Sequence, residues 1–402
     1  MVQTGLDILL EEDIAGLRGR RVGVLCHPAS VSSRLVHIVD ALAAARVNLT
    51  RLFGPEHGIR GEAQDMIGVE GDRDPRTGIP VTSLYGETVE SLAPTVEAFS
   101  NIDVLVVALQ DVGSRYYTFI WTMALSLQAA ARAGVAVLVL DRPNPIGGVD
   151  IEGGQVDPVV ESFVGLGSIP VRHGLTIGEV ARLVREGLPW GGERFARPLD
   201  CDMQVIAMRG WHRGDYFDQT GLPWVLPSPN MPTVDTALVY PGMCLLEGSN
   251  ISEGRGTTRP FEIIGAPFLD GVQLADCLAA ERLPGVLWRA LAFRPTFHKF
   301  AGQVCGGVQI HVVDRAAFRP YLTGVAVLRA LRALAGEAFR WRTEKYEFVS
   351  DRPAVDLLTG GDAIRKGIEA GATLDELRST WQAAQDAFAE RRRACLLYET
   401  NL

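Results

Sequence analysis

From Ile102 to Leu109 the chain reads IDVLVVAL, almost wholly apolar over eight residues. A strand with one face in water alternates apolar and polar side chains. A run without alternation is buried on both faces, as in the middle of a parallel sheet covered by helices on each side. Such a sheet requires a strand–helix–strand rhythm, and the flanking sequence supplies it. Arg21–Cys26, Val47–Phe53 and Val135–Leu140 read as further buried strands, and Leu35–Ala45 and Tyr117–Ala133 as helices between them. The expected fold is α/β: a Rossmann-like, doubly wound, mostly parallel sheet. A chain of 402 residues exceeds what one core organises, so a second domain is expected. Residues 188–230 are rich in Pro, Gly and Trp. This places the boundary at the end of that stretch, giving a Rossmann-like catalytic domain at 1–227 and a smaller α/β domain at 228–402 that completes a cleft.

The second half carries its own patterns. Thr236–Leu246 is an apolar strand or buried helix. Val308, Ile310 and Val312 alternate with polar residues as in a half-buried strand, and Leu322–Ala335 reads as a helix. Near the end, Thr373 with Glu376 forms a capping box, followed by one apolar stripe of Leu377, Trp381, Ala384 and Phe388.

Several function classes are disfavoured. A formal net charge of -9 argues against nucleic acid as a partner. No apolar run approaches the ~20 residues that span a bilayer. The first residues lack the basic and apolar regions of an export signal, so a cytoplasmic location is expected. The six cysteines are scattered and none forms a CxxC pair, which argues against zinc and a disulfide framework. The turn after the first strand, Cys26–Ser30, has no GxGxxG, and no GxxxxGK[ST] occurs, so neither a dinucleotide nor a P-loop nucleotide is expected.

Polar residues follow each strand of the first half: His27 after the first, Glu56 and His57 after the second, Gln110 to Tyr117 after the third, Asp141 to Asn144 after the fourth. Parallel strands end on one edge of their sheet, and ligands bind outside the carboxyl ends of the strands. His173 stands just before a helix opened by the capping box Thr176 and Glu179. In the second half, Glu247–Pro260 is a long polar, glycine-rich loop between apolar segments, a kind rarely kept without a function. It is expected to face the Glu56 loop across the cleft.

The motifs FGPEHGIRG, LQDVGSRYYTF, LDRPNPIGG, PVRHGLTIGE, PSPNMPT, EGSNISEGRGTTRPFEIIGAPF and DLLTGGDAIRKGIEAG occur in that order. Together they resemble the YbbC-like exo-β-N-acetylmuramidases of the NamZ type, from about Arg20 to about Tyr398. The resemblance implies a glycosidase that removes N-acetylmuramic acid from the non-reducing end of peptidoglycan fragments, with no nucleotide, metal or other cofactor, from a cleft between two α/β domains. The family's catalytic glutamate falls on Glu56. For the assisting carboxylate, Glu253 is the first choice and Glu247 the second. Asp111, on the same sheet edge as Glu56, is an alternative. The competing reading is a protein that binds a sugar or muropeptide in the same cleft without turnover.

Glycoside hydrolysis usually needs two carboxyl groups flanking the bond. Burial beside an apolar strand end favours the protonated form of a carboxyl, which suits Glu56 as a proton donor. The lactyl carboxylate of N-acetylmuramic acid calls for an arginine, with Arg60, Arg115, Arg255 and Arg259 as candidates. Asn144, Asn230 and Asn250 suit hydroxyl or acetamido groups. Tyr116 and Tyr117 could stack on the sugar, with His57 and His173 lining the pocket, whereas Trp121 falls inside a helix and belongs to the core.

Overall fold

A computed structural model describes residues 1–56, 58–59, 73–86, 88–188 and 193–399. Six strands form the first sheet: β1 (Arg21–Cys26), β2 (Asn48–Gly54), β3 (Val81–Ser83), β4 (Val104–Ala108), β5 (Ala136–Leu140) and β6 (Met203–Ile206). Their order is β3-β2-β1-β4-β5-β6, and every neighbouring pair is parallel. The chain winds outward one way from β1 to β3 and the other way from β4 to β6. The switch point therefore lies between β1 and β4, where α/β sheets open a ligand crevice.

The lack of alternation in β4 has a direct cause. Val104, Val106 and Ala108 join one core with Leu6, Ile38, Val39 and Leu42, while Leu105 and Val107 join the opposite core with Trp121, Leu127 and Val180. Helices Phe119–Ala133 and Ile177–Glu186 cover that second face. The first ends at Gly134 in a left-handed conformation, and the second begins with the Thr176–Glu179 capping box.

The smaller sheet is antiparallel, in the order β7 (Ile263–Ala266), β9 (Cys305–Val312), β8 (Val286–Phe293). The apolar segment from Thr236 folds as helix Val234–Met243 and a 3-10 turn, Cys244–Gly248. That helix lies against Pro320–Ala335 at very short range. A Cβ on Gly242 would fall 2.0 Å from the Pro320 carbonyl oxygen, and one on Gly324 would fall 2.3 Å from that of Gly242. Only paired glycines allow this approach.

One apolar core runs from Trp121 and Leu175 through Leu238, Met243 and Leu328 to Leu357 and Trp381, so the two halves share it. In the terminal helix Leu374–Arg392, Leu377, Trp381 and Phe388 are buried and Ala384 is half-buried. The segment after it returns to the first sheet. Arg392 donates to the carbonyls of Gly148 and Gly174, each at 2.9 Å, and the Tyr398 hydroxyl donates to Asp141 at 2.5 Å. Among the described residues no helix is long and apolar enough to cross a membrane, and no group of three or more His, Cys, Asp or Glu could hold a metal ion.

Candidate active site

Strand β2 ends at Gly54, and Pro55 turns the chain so that Glu56 enters a pocket at the carboxyl edge of the sheet. Its carboxylate is buried and accepts a 2.9 Å hydrogen bond from Thr118 Oγ1, at the start of helix Phe119–Ala133. Tyr116, Tyr117 and Phe119 line the same side. Ser228, Asn230 and Met231 line a second side, and Tyr240, Glu247, Arg255 and Phe261 come from the following segment. Tyr346 and Glu347 complete the wall.

The aromatic rings meet edge to face. Tyr117 and Tyr240 lie 5.8 Å apart at 88°, and Tyr240 and Phe261 lie 4.8 Å apart at 87°. Burial raises the hydroxyls of Tyr116, Tyr117 and Tyr240 well above the ordinary phenol range, so they stay neutral. The Tyr116 hydroxyl is taken by the Pro241 carbonyl, which ties the turn after β4 to the second half.

Arg255 donates to Glu247 Oε1 at 2.8 Å and lies over the Phe261 ring at 5.1 Å, and the Tyr346 hydroxyl donates to Glu247 Oε2 at 2.8 Å. Behind Arg255 sits Glu253, fully buried and outside the pocket lining. Lys299 donates to its Oε2 at 2.8 Å, while His298 Nδ1 and Arg255 Nε lie 3.2 and 3.4 Å from its Oε1. Burial alone would raise this carboxyl, but Lys299, His298 and Arg255 hold it well below the usual carboxylate range.

The structure brings Glu56, Tyr116, Asn230, Glu247 and Arg255 together in one pocket. It gives other expected site residues different work. Glu253 supports Arg255 from behind and is not among the pocket's lining residues; its charge is met by Arg255 and Lys299. Asp111 accepts from the Gly113 amide at 2.7 Å and lies 3.2 Å from Nε2 of His173, whose Nδ1 accepts from the Leu175 amide. These two residues form a buried pair beside the pocket and are not among its lining residues. Arg115, expected as a carboxylate clamp, donates instead to the carbonyls of Gly154, Ile169 and Leu358. Asn144 bridges the Leu175 carbonyl and the Ile146 amide, and Asn250 bridges the Ala338 carbonyl and the Arg340 amide. Arg259 is half exposed and pairs with Glu262 at 3.1 Å. His57 and Arg60 lie outside the described residues.

The strand-end clusters also divide. His27 accepts from the Gln110 amide at 2.7 Å, Gln110 donates to the Pro143 carbonyl at 2.9 Å, and Arg142 donates to Gln110 at 3.1 Å. These residues satisfy one another where a buried sheet edge needs partners. Tyr240, Ser228, Tyr346 and Glu347 were not among the residues singled out from the sequence. Tyr240 and Tyr346 sit in apolar or mixed stretches that read as ordinary packing, and nothing around Glu347 carries a sequence signal.

Comparison with known proteins extends the likeness over nearly the whole chain. Residues 22–235 match the family model for the N-terminal part of exo-β-N-acetylmuramidase NamZ, and residues 238–398 match the model for its C-terminal part. Peptidoglycan β-N-acetylmuramidase NamZ of Bacillus subtilis is 45% identical over 398 residues, covering 99% of this chain and 91% of that protein. Two crystal structures of DUF1343-family proteins from Bacteroides fragilis share the fold. One has a TM-score of 0.87 at 34% identity, with 99% of each chain covered, and the other 0.77 at 28% identity, with 100% of each covered. With both halves matched in order, the chain belongs to the NamZ exo-β-N-acetylmuramidase family.

Proposed function

We propose that this chain is a glycosidase that releases N-acetylmuramic acid from the non-reducing end of peptidoglycan fragments. The observation that carries this reading is the placement of Glu56: a buried carboxyl at the sheet's carboxyl edge, in one pocket with Glu247 and Arg255. Glu56 donates its proton to the glycosidic oxygen as the bond to the anomeric carbon breaks. Thr118 fixes the carboxyl through its hydroxyl. The tyrosine walls offer flat apolar faces to the pyranose, and Asn230 and Ser228 offer polar groups to its substituents. Arg255 is the cation placed to meet the lactyl carboxylate, with Glu247 setting its orientation. We place the protein in the cytoplasm, acting on imported wall fragments; its six cysteines are all free thiols, and cell fractionation tests the location.

The test is hydrolysis of para-nitrophenyl N-acetyl-β-muramide beside the N-acetylglucosamine analogue. Wild-type protein should release nitrophenol from the muramide alone. On a disaccharide of N-acetylmuramic acid linked to N-acetylglucosamine, whose leaving alcohol needs the proton, Glu56→Gln should lower kcat at least ~100-fold with an unchanged melting temperature. Equal release from both substrates would remove the lactyl reading. Wild-type turnover of that disaccharide by Glu56→Gln would remove Glu56 from the chemistry.

A further inference from the structure

The pocket poses an electrostatic problem. Among the described residues that line it, Glu56, Glu247 and Glu347 carry carboxyls and Arg255 is the one cation. Arg255 is itself held by carboxylates on two sides. Its Nη2 lies 2.8 Å from Glu247 Oε1, and its Nε lies 3.4 Å from Glu253 Oε1. One arginine between two carboxylates is a net anion, and a net anion repels the lactyl carboxylate that Arg255 is read as meeting.

Lys299 removes that excess. Its ammonium donates to Glu253 Oε2 at 2.8 Å and to the carbonyls of Leu246 and Ile251 at 3.0 and 2.9 Å, three acceptors for three N–H groups. His298 Nδ1 lies 3.2 Å from Glu253 Oε1, so both oxygens of that carboxylate face nitrogen. Lys299 is 17% exposed and Glu253 is fully buried, so salt and water screen this pair little. With Lys299 in place, the two carboxylates and two cations are neutral in sum, and Arg255 is the cation that lines the pocket.

The backbone around Lys299 is held in an uncommon form. It belongs to the loop between β8 and β9, and its two neighbours, His298 and Phe300, have φ of 68° and 58°. Side chains rarely occupy that region, and they persist there only where the surroundings over-determine them. Here the loop is pinned to the turn that bears Arg255. The Thr296 amide and hydroxyl both donate to the Gly256 carbonyl, each at 2.9 Å, and the Phe300 ring meets Phe268 at 6.1 Å. Two segments distant in sequence are thereby joined, so that Lys299 and Arg255 reach opposite oxygens of Glu253.

We propose that Lys299 is a positioning residue that sets the preference for an anionic sugar: by offsetting Glu253 it lets Arg255 attract the lactyl carboxylate, although Lys299 is not among the lining residues itself. This rests on the glycosidase reading above and on Arg255 as the lactyl cation.

The test measures KM and kcat on para-nitrophenyl N-acetyl-β-muramide and on its uncharged lactyl carboxamide, with melting curves beside the rates. Wild type should show the lower KM for the acid. Lys299→Gln keeps a donor for the carbonyls and removes the charge. It should raise KM for the acid about tenfold, while KM for the amide and kcat on both stay within about threefold. Lys299→Arg keeps the charge and should keep the preference. The double variant of Glu253→Gln with Lys299→Gln removes one charge of each sign. It should regain the acid preference to within about threefold of wild type, whereas a lysine needed only for packing predicts a double variant no better than the single one. Should Lys299→Gln fail to fold, the double variant decides alone. An acid preference of wild-type size in Lys299→Gln, an equal rise of KM on both substrates, or a double variant without the preference would overturn the assignment and leave the glycosidase reading intact. Equal KM on the two substrates in wild type would remove the lactyl role of Arg255, and an inactive wild type would remove the reaction itself. This assignment falls with either.

Discussion

Glu253 holds a pocket residue in place without lining the pocket itself. It is fully buried and set against Lys299, His298 and Arg255, and Arg255 alone of the three lines the pocket. Glu253→Gln would leave Lys299 among the carbonyls of Leu246 and Ile251 with no anion. Removing one partner of a buried ion pair costs about 3–5 kcal/mol, so urea unfolding should show a loss of that order. A loss below ~1 kcal/mol would mean that water compensates the cluster. The pH dependence has a definite sign. The folded protein holds this carboxyl below its ordinary value of 4.5, so on acidification the unfolded chain takes up the proton first. The stabilisation is complete above about pH 5 and is lost as the pH falls further. Glu253→Gln should therefore flatten the acid limb of a stability-against-pH curve, and an acid limb as steep as in wild type would place its origin in other groups.

At the level of elements, two arginines that look alike in sequence do opposite jobs. Both sit in glycine-containing loops, Arg115 after β4 and Arg255 before β7. Arg115 joins the Gly154 and Ile169 carbonyls to that of Leu358, a residue 243 positions away. Arg115→Met would leave two buried carbonyls and the half-buried one of Gly154 without their donor, the buried ones worth about 1–3 kcal/mol each, so a loss of roughly 3 kcal/mol is expected in guanidinium unfolding. The fraction that remains folded should keep the wild-type KM. Arg255→Met should do the reverse, raising KM for the muramide. A raised KM in Arg115→Met at full folding would return it to the site. This contrast marks what the sequence could convey. The β4 run and the capping boxes at Thr176 and Thr373 were legible because periodicity and cap chemistry are local. Glu56 was legible because a strand end is local too. Whether an arginine meets a ligand or a distant carbonyl depends on partners that no local pattern encodes. The turn of Glu347 and Phe348, whose φ angles of 45° and 70° are left-handed, was hidden for the same reason, since Glu-Phe gives no sign of such a turn and the Phe348–Tyr85 and Tyr346–Glu247 contacts that help to hold it are distant in sequence.

On the scale of the whole molecule, the pocket draws residues from both halves, so its integrity depends on how the halves are joined. They share one core, and the chain end adds a second attachment. Leu397 donates its amide to Glu179 at 2.8 Å, Tyr398 bridges Asp141 and the Met208 amide, and Arg391 and Arg392 donate to carbonyls of the first half. Leu238, Met243, Leu328 and Leu357 of one half share that core with Trp121 and Leu175 of the other, so separating the halves would uncover part of it. Each such side chain contributes about 1.5–3 kcal/mol by being buried, so a state with one half folded and the other unfolded gives up more than the usual margin of domain stability. Unfolding should therefore be a single transition, with calorimetric and van't Hoff enthalpies in a ratio near one. Activity should disappear in that same transition, because Glu56 and Arg255 line one pocket from opposite sides of the joint. Residues 1–227 expressed alone should expose their apolar face and aggregate. Two resolved heat-capacity peaks, or a soluble 1–227 fragment with a cooperative melt, would show instead that the halves are independent units that merely dock, and the pocket could then open by their separation.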